Sequence, residues 1–289
     1  MIDNTQSIQW FPGHMTKTRR KIKEILPLID AVAEVVDARI PVSSRNPDIA
    51  EIIEGKPHII LLNKCDMADK AATNQWIKYY KEQNIAAIPI DCKSGKGLSL
   101  FKDTVKTALA DKLDAYRKKG MVGKPLRVMV VGIPNVGKSS FINRIAGNTK
   151  AKVENRPGVT RGNQWFTIDK QLELLDTPGV LWPKFEDKAV GERLAFTGAV
   201  KDKILDTELL AMRLLENLST GYRDLLTARY GELDFNCDSW ELLIQIGKKR
   251  GMVIRGGETD TERTANMLLE EYRNCKIGFI SLERVEDYA

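Results

Sequence analysis

Residues 132–139 read Gly-Ile-Pro-Asn-Val-Gly-Lys-Ser, which fits the spacing GxxxxGK[ST] without deviation. Glycines let backbone N–H groups wrap phosphate oxygens. A helix opening at Lys138 adds about half a positive charge at its N-terminus. In such a loop Lys138 reaches the β- and γ-phosphates and the Ser139 hydroxyl serves Mg2+. Asn135, Val136, Gly137 and Ser140 complete the cradle. Further on stands Asp176-Thr177-Pro178-Gly179. An Asp at a strand end past a phosphate loop suits a carboxylate that holds Mg2+ through water. Gly179 can place its N–H against a γ-phosphate. Between the two clusters, Pro157-Gly158-Val159-Thr160 offers Thr160 as the switch residue that closes over Mg2+ when γ-phosphate is present.

A third cluster lies upstream. Asn63-Lys64-Cys65-Asp66 fits NKxD and follows an apolar run at 59–62. The Asp66 carboxylate can accept from both N1–H and the 2-amino group of guanine. Adenine has neither donor, and leaving such a buried polar group unpaired is worth about 10⁴-fold in selectivity. The Lys64 stem would cover one face of the base, and Asn63 would tie this loop to the phosphate loop. Asp91-Cys92-Lys93-Ser94, after an apolar run at 85–90, is a second base loop, with the backbone of Cys92 and Lys93 meeting the guanine oxygen.

These residues need a frame. Short apolar runs at 31–36, 58–62, 85–90 and 126–131 read as strands, and 164–168 with 171–175 as a hairpin. Helical stretches fall at 16–30, 69–83, 98–113 and 138–146, while 114–124 reads as a linker and 148–163 as a loop. Strands alternating with helices predict an α/β fold with a parallel sheet. After about residue 186 only helical periodicity remains, at 187–199, 206–218, 221–229, 239–247 and 260–275. The expected organisation is a nucleotide-binding domain at 1–185 with a basic N-terminal extension, and an all-α domain at 186–289.

The order of the motifs is informative. Ordinary small GTPases run phosphate loop, switch threonine, DxxG, NKxD; here NKCD precedes the phosphate loop. The chain therefore resembles the circularly permuted P-loop GTPases. Within them, Trp10-Phe11-Pro12-Gly13-His14-Met15 and Asp37-Ala-Arg-Ile-Pro41 are similar to the ribosome biogenesis GTPase A (YlqF) family. The resemblance covers nearly the whole chain. It implies GTP and GDP as ligands, Mg2+ as cofactor, and a role in late maturation of the large (50S) ribosomal subunit, with the helical domain used on ribosomal RNA. Permutation is feasible because the termini of a compact domain often lie close together. It also makes the second switch lead straight into the helical domain.

Many GTPases carry a water-orienting Gln directly after DxxG. Here Val180 stands there and cannot orient water. The resemblance implies His14 for that role; a histidine that only packs or touches RNA is the competing reading. Asn135 resembles the asparagine of potassium-activated GTPases, where K+ stands in for an arginine finger, although Asn is also common in such loops.

Charge points towards a polyanion. The net charge is +6, but residues 1–189 hold 31 Lys and Arg against 21 Asp and Glu, whereas residues 190–289 hold 14 against 18. A basic front half suits RNA. Lys17, Arg19 and Arg20 lie on the first helix beside Trp10 and Phe11, a combination that suits phosphate contacts and base stacking; an ordinary solvated helix is the bland alternative. In the acidic helical region, Lys248, Lys249, Arg250 and Arg255 form a local basic patch within a glycine-flanked loop expected at 247–257.

Four scattered cysteines and two histidines argue against a structural zinc site and for reduced thiols. No run of about 18 uncharged apolar residues or secretory leader is present, so no membrane segment is expected, the compartment reads as cytoplasmic, and monomer is the default. Two other function classes remain: a GTPase switch acting on protein partners, and a metabolic kinase or ATPase, which NKCD together with DTPG disfavours.

Overall fold

The computed structural model describes residues 20, 22–53, 55–121, 123–147, 152–154, 164–177, 187–200 and 206–288. They fall into two compact units, one drawn from residues up to 184 together with 283–289, the other from residues 185–282. The seven C-terminal residues, expected within the helical domain, thus return to the α/β unit.

Every residue of β1 (Ala31–Asp37) is buried. A strand covered on both faces must read as an almost continuous apolar run, and this one does apart from Glu34 and the terminal Asp37. β2 (His58–Asn63), β3 (Ala86–Pro89), β4 (Leu126–Val131), β5 (Lys152–Glu154), β6 (Gln164–Asp169) and β7 (Leu172–Asp176) complete a seven-stranded sheet in the order β3-β2-β1-β4-β7-β6-β5. The five strands from β3 to β7 in that order are parallel, while β6 runs antiparallel to both of its neighbours, β7 and β5. The sheet is therefore mixed rather than purely parallel. From β4 the chain builds away to one side, while β1, β2 and β3 fill the other. Strand order reverses between β1 and β4, and open α/β sheets bind ligands outside the carboxyl ends of their strands at such a point.

The helices of this unit are α1 (Pro47–Ile52), α2 (Lys70–Glu82), α3 (Ser99–Ala108), α4 (Ala110–Lys118) and α5 (Lys138–Gly147). α1 is absent from the sequence expectations, although its start carries an Asn46 N-cap, whose side chain accepts from Asp48 N–H, and Pro47 in the first turn. The helix expected over 98–113 breaks at Leu109 and resumes through Lys118, so half of the presumed linker is helical. The helix expected over 16–30 passes at Leu26 into a 3-10 turn containing Pro27. β5 lies inside the expected loop.

The other unit holds α6 (Lys188–Phe196), α7 (Thr207–Gly221), α8 (Arg223–Tyr230), α9 (Ser239–Lys249) and α10 (Thr261–Arg273). Aspartates cap four of them: Asp187, Asp206, Asp238 and Asp260 each accept a first-turn N–H. Leu210, Leu214 and Leu218 recur every fourth residue and bury one face of α7 against Leu242, Ile246, Leu268 and Tyr272. Gly247 lies inside α9, not in a loop. A Cβ there would meet Thr259 Cγ2 at 2.3 Å and Thr264 Oγ1 at 2.6 Å, so only glycine allows this approach. Among the described residues no helix is long and apolar enough to cross a membrane, and all four cysteines are free thiols.

Candidate active site

The loop between β4 and α5 curls back on itself. Gly132, Asn135 and Gly137 have φ of +149°, +64° and +107°. A Cβ at Gly132 would stand 2.5 Å from Val35 O, at the end of the neighbouring β1. Lys138 is buried and donates to Ile133 O at 3.3 Å, within the loop itself. Burial works against its charge and the Asp176 carboxylate works for it; burial prevails, so its pKa lies below the ordinary lysine value. A desolvated cation under a ring of backbone amides is an anion receptor. Ser139 and Ser140 are exposed on the first turn of α5, and Val136 is buried.

Asp176 ends β7, half-buried. Burial raises its pKa, and Lys138 and the Thr177 N–H only partly offset this. Thr177 Oγ1 donates to Val130 O at 2.7 Å, which fixes the backbone just beyond it. The Ser139 hydroxyl and the Asp176 carboxylate are hard oxygen donors around a buried lysine, a set suited to Mg2+ accompanying phosphates.

Asn63 joins three loops. Its Nδ2 donates to Val136 O at 2.7 Å, and its Oδ1 accepts from Cys92 N–H at 3.2 Å. The Asp91 carboxylate accepts from Lys93 N–H at 2.7 Å and Ser94 N–H at 3.0 Å, which folds that third loop into a tight turn. Arg144 of α5 closes the ring by donating to Ser94 O at 2.9 Å. Burial pushes the Cys92 thiol up to about 12, with Asp91 and other nearby acids adding to it. It is a packed, inert thiol, and the Cys92 and Lys93 N–H groups expected to meet a base are both engaged within the protein here.

Asp66 is exposed beside these loops. Partial burial, then the Asp91 carboxylate, raise its pKa above the usual 3.8. Lys64 adopts φ +59° and its Nζ donates to Asp37 Oδ2 at 2.9 Å. Asp37 also accepts from Arg39 through Nε at 3.0 Å and Nη2 at 2.8 Å. Neither charge nor spacing along the chain points to this buried acid with its two cations. Asp37 and Arg39 belong to the Asp37–Pro41 stretch that carries the family resemblance, yet nothing along the chain pairs them with Lys64.

His14, Lys17, Arg19, Thr160 and Gly179 lie outside the described residues. Arg20 is exposed and paired with Glu24 one turn away at 3.4 Å. In the other unit Lys248, Lys249 and Arg255 are exposed. Lys248 and Lys249 form the last turn of α9, where cations also suit the helix dipole. Arg250 donates to Glu271 Oε1 at 3.1 Å, alongside Arg229 and the Tyr230 hydroxyl on the same carboxylate. That arginine has a structural partner which its neighbours in the patch do not share.

The phosphate cradle after β4 and the Asn63 loop after β2 are laced together at the carboxyl ends of these interior strands, and comparison with known proteins places the chain in a family. A family model described as a 50S ribosome-binding GTPase matches residues 127–223. The ribosome biogenesis GTPase A of Priestia megaterium is 51% identical over 279 residues, covering 96% of this chain and 96% of that protein. The chain belongs to the ribosome biogenesis GTPase A family. As a member it is a GTPase of ribosome biogenesis with circularly permuted motifs. A GDP-bound YlqF structure superposes with a TM-score of 0.65 at 29% identity, covering 93% of this chain and 100% of that one. A GNP-bound YlqF from T. maritima superposes with a TM-score of 0.62, also at 29% identity, covering 93% and 99%. The family model begins at residue 127, so Asn63 to Asp66 fall outside it; the rotated order of the ribosome biogenesis GTPase A family accounts for this.

Proposed function

We propose that this chain is a GTP-hydrolysing assembly factor for the large (50S) ribosomal subunit, acting late in its maturation, bound to ribosomal RNA with GTP and released after hydrolysis. The observation that carries the reading is the Asn63 bridge to Val136 and Cys92, which makes base loop and phosphate loop one rigid receptor. Asp66 selects guanine, Lys64 covers the base, and the Cys92 and Lys93 backbone faces the guanine oxygen. Lys138 and the amides of Asn135, Val136, Gly137, Ser139 and Ser140 hold the phosphates. Mg2+, when bound, would draw charge off the β- and γ-phosphates, with Ser139 and Thr160 as ligands and Asp176 acting through water. Gly179 meets the γ-phosphate, and K+, when bound at Asn135, would supply further positive charge.

With Val180 after DxxG, water is oriented by His14, so hydrolysis accelerates on the ribosomal particle. Lys17, Arg19, Arg20, Lys248, Lys249, Arg250 and Arg255 supply contacts to rRNA; the excess of positive charge over residues 1–189 favours this over a protein-only partner. The protein works as a cytoplasmic monomer.

The test is co-sedimentation with immature large subunits in GTP, GDP or no nucleotide at several salt concentrations, with phosphate release read alongside. Retention that depends on GTP, weakens with salt and accompanies faster hydrolysis supports the proposal. Salt-independent retention would favour a protein partner. His14→Ala should remove about 10²-fold or more of the stimulated rate while leaving GDP binding intact. Turnover in K+ against Na+ tests the cation.

A further inference from the structure

Residues 38–46 form a connection after β1 that is buried to an unusual degree. Ala38, Arg39, Ile40, Ser43, Ser44 and Asn46 are each 2% exposed or less. Connections normally run over the surface because buried backbone needs partners. Here Ala38 N–H donates to Asn63 O at 2.8 Å, and Asp37 N–H donates to Ser44 Oγ at 2.9 Å. The partner for the middle of the loop comes from 240 residues away. The Glu283 carboxylate accepts from Val42 N–H at 2.6 Å, from Ser43 N–H at 3.0 Å and from the Ser43 hydroxyl.

Glu283 is itself fully buried. Its backbone oxygen accepts from Trp76 Nε1 at 3.2 Å, and Tyr288 O–H donates to its carboxylate at 3.1 Å. Arg284 pairs with Asp69, the N-cap of α2, at 3.0 Å. The tail is thus fastened at several points, yet the charged group it buries is aimed at one loop.

We propose that the C-terminal tail is a positioning element for the base-reading loop, acting through Glu283. The path is short. Glu283 holds the 42–43 amides, Ser44 holds the Asp37 backbone, and the Asp37 carboxylate, with Arg39 bonded to it, holds Lys64 of the NKxD loop. The inference rests on the guanine reading of Asn63 to Asp66. Its content is that Glu283, Asp37 and Arg39 set nucleotide affinity without touching nucleotide.

The test is titration of the full chain with fluorescent GDP and ADP analogues, using wild type, E283Q, K64A and the double variant, with thermal melts in parallel. Glutamine leaves one acceptor but cannot take four donors as the carboxylate does, so E283Q should weaken GDP binding about ten-fold, the scale of a charge-assisted hydrogen bond. K64A should weaken it comparably, and the double variant should match K64A alone, because the tail acts through that lysine. A purely structural tail would instead lower the melting temperature with unchanged affinity, or give additive losses; either outcome overturns the proposal. If E283Q fails to fold, Ser43→Ala and Tyr288→Phe, which each remove a hydroxyl donor to Glu283, replace it with the same expectations. Wild type that binds both analogues equally defeats the guanine reading itself, whereas guanine preference with additive losses defeats only the relay.

Discussion

Asn63 and Gly137 share one small volume. The Asn63 amide nitrogen lies where a side chain at 137 would begin, 2.2 Å from an ideal Cβ, while it donates to Val136 O next door. A residue of the base loop and a glycine of the phosphate loop, 74 positions apart, are therefore mutually required.

Gly137→Ala should lower GDP affinity at least about ten-fold, since it adds an impossible contact to a backbone at φ +107°. Asn63→Ala should cost about 1–3 kcal/mol of stability by stranding Val136 O and Cys92 N–H. The double variant should bind better than Gly137→Ala alone, because the collision has gone. Calorimetric titration and urea unfolding measure both quantities, and wild-type affinity in Gly137→Ala would remove the steric argument.

Asp66 sets a pH dependence. The proposed contact with guanine needs its ionised form, and partial burial, then Asp91, hold its pKa above 3.8. GDP affinity should stay constant around neutral pH and fall as pH drops through that raised pKa, sooner than for an unperturbed Asp. Asp66→Asn should abolish the step and shift preference from guanine to xanthine, because the amide can donate to the 2-oxo group. Unchanged base preference would end the assignment.

The Asp37 cluster should shape acid stability. Burial would raise its pKa, but Arg39 and then Lys64 outweigh burial and hold it well below the usual range. A depressed folded pKa stabilises the fold above the unfolded value of 3.8 and loses that contribution as pH falls below it. Glu34, whose burial is outweighed by His58 and Arg45, acts in the same direction. Asp37→Asn should lower neutral stability by about 3–5 kcal/mol, because Arg39 stays buried without its counter-charge, and should flatten the acid limb. Denaturant unfolding across neutral to acidic pH reads both effects.

The basic residues in the last turn of α9 and just beyond it should divide. Lys248→Ala, Lys249→Ala and Arg255→Ala should each weaken RNA binding and reduce its salt slope by about 0.7–0.9 with little change in stability. Arg250→Ala should in addition cost about 0.5–1.5 kcal/mol of folding stability, since it breaks a hydrogen bond to the buried Glu271. Filter binding over a salt series, paired with melts, separates the two classes.

Local signals are legible because they are written over a few consecutive residues. Glycine spacing with Lys138 and Ser139, an apolar run before Asn63, and an aspartate before each of four helices of the second unit need no knowledge of the rest of the chain. Boundaries are less secure. The polar stretch at 114–124 reads as a linker, yet its first half continues as α4, because a solvated helix carries little apolar periodicity. Gly247 reads as the start of a loop, since the two threonines that require it lie 12 and 17 residues further on.

By itself the sequence determined most of the element types and the reversed motif order, both properties of short windows and of their order along the chain. The tertiary structure alone decided which distant groups meet: Asn63 with Val136, Asp37 with Lys64, Glu283 with the 42–43 amides, and Arg250 with Glu271. The reason is physical. Buried donors and carboxylates must find partners wherever packing brings them, and separation along the chain says nothing about which partner that will be.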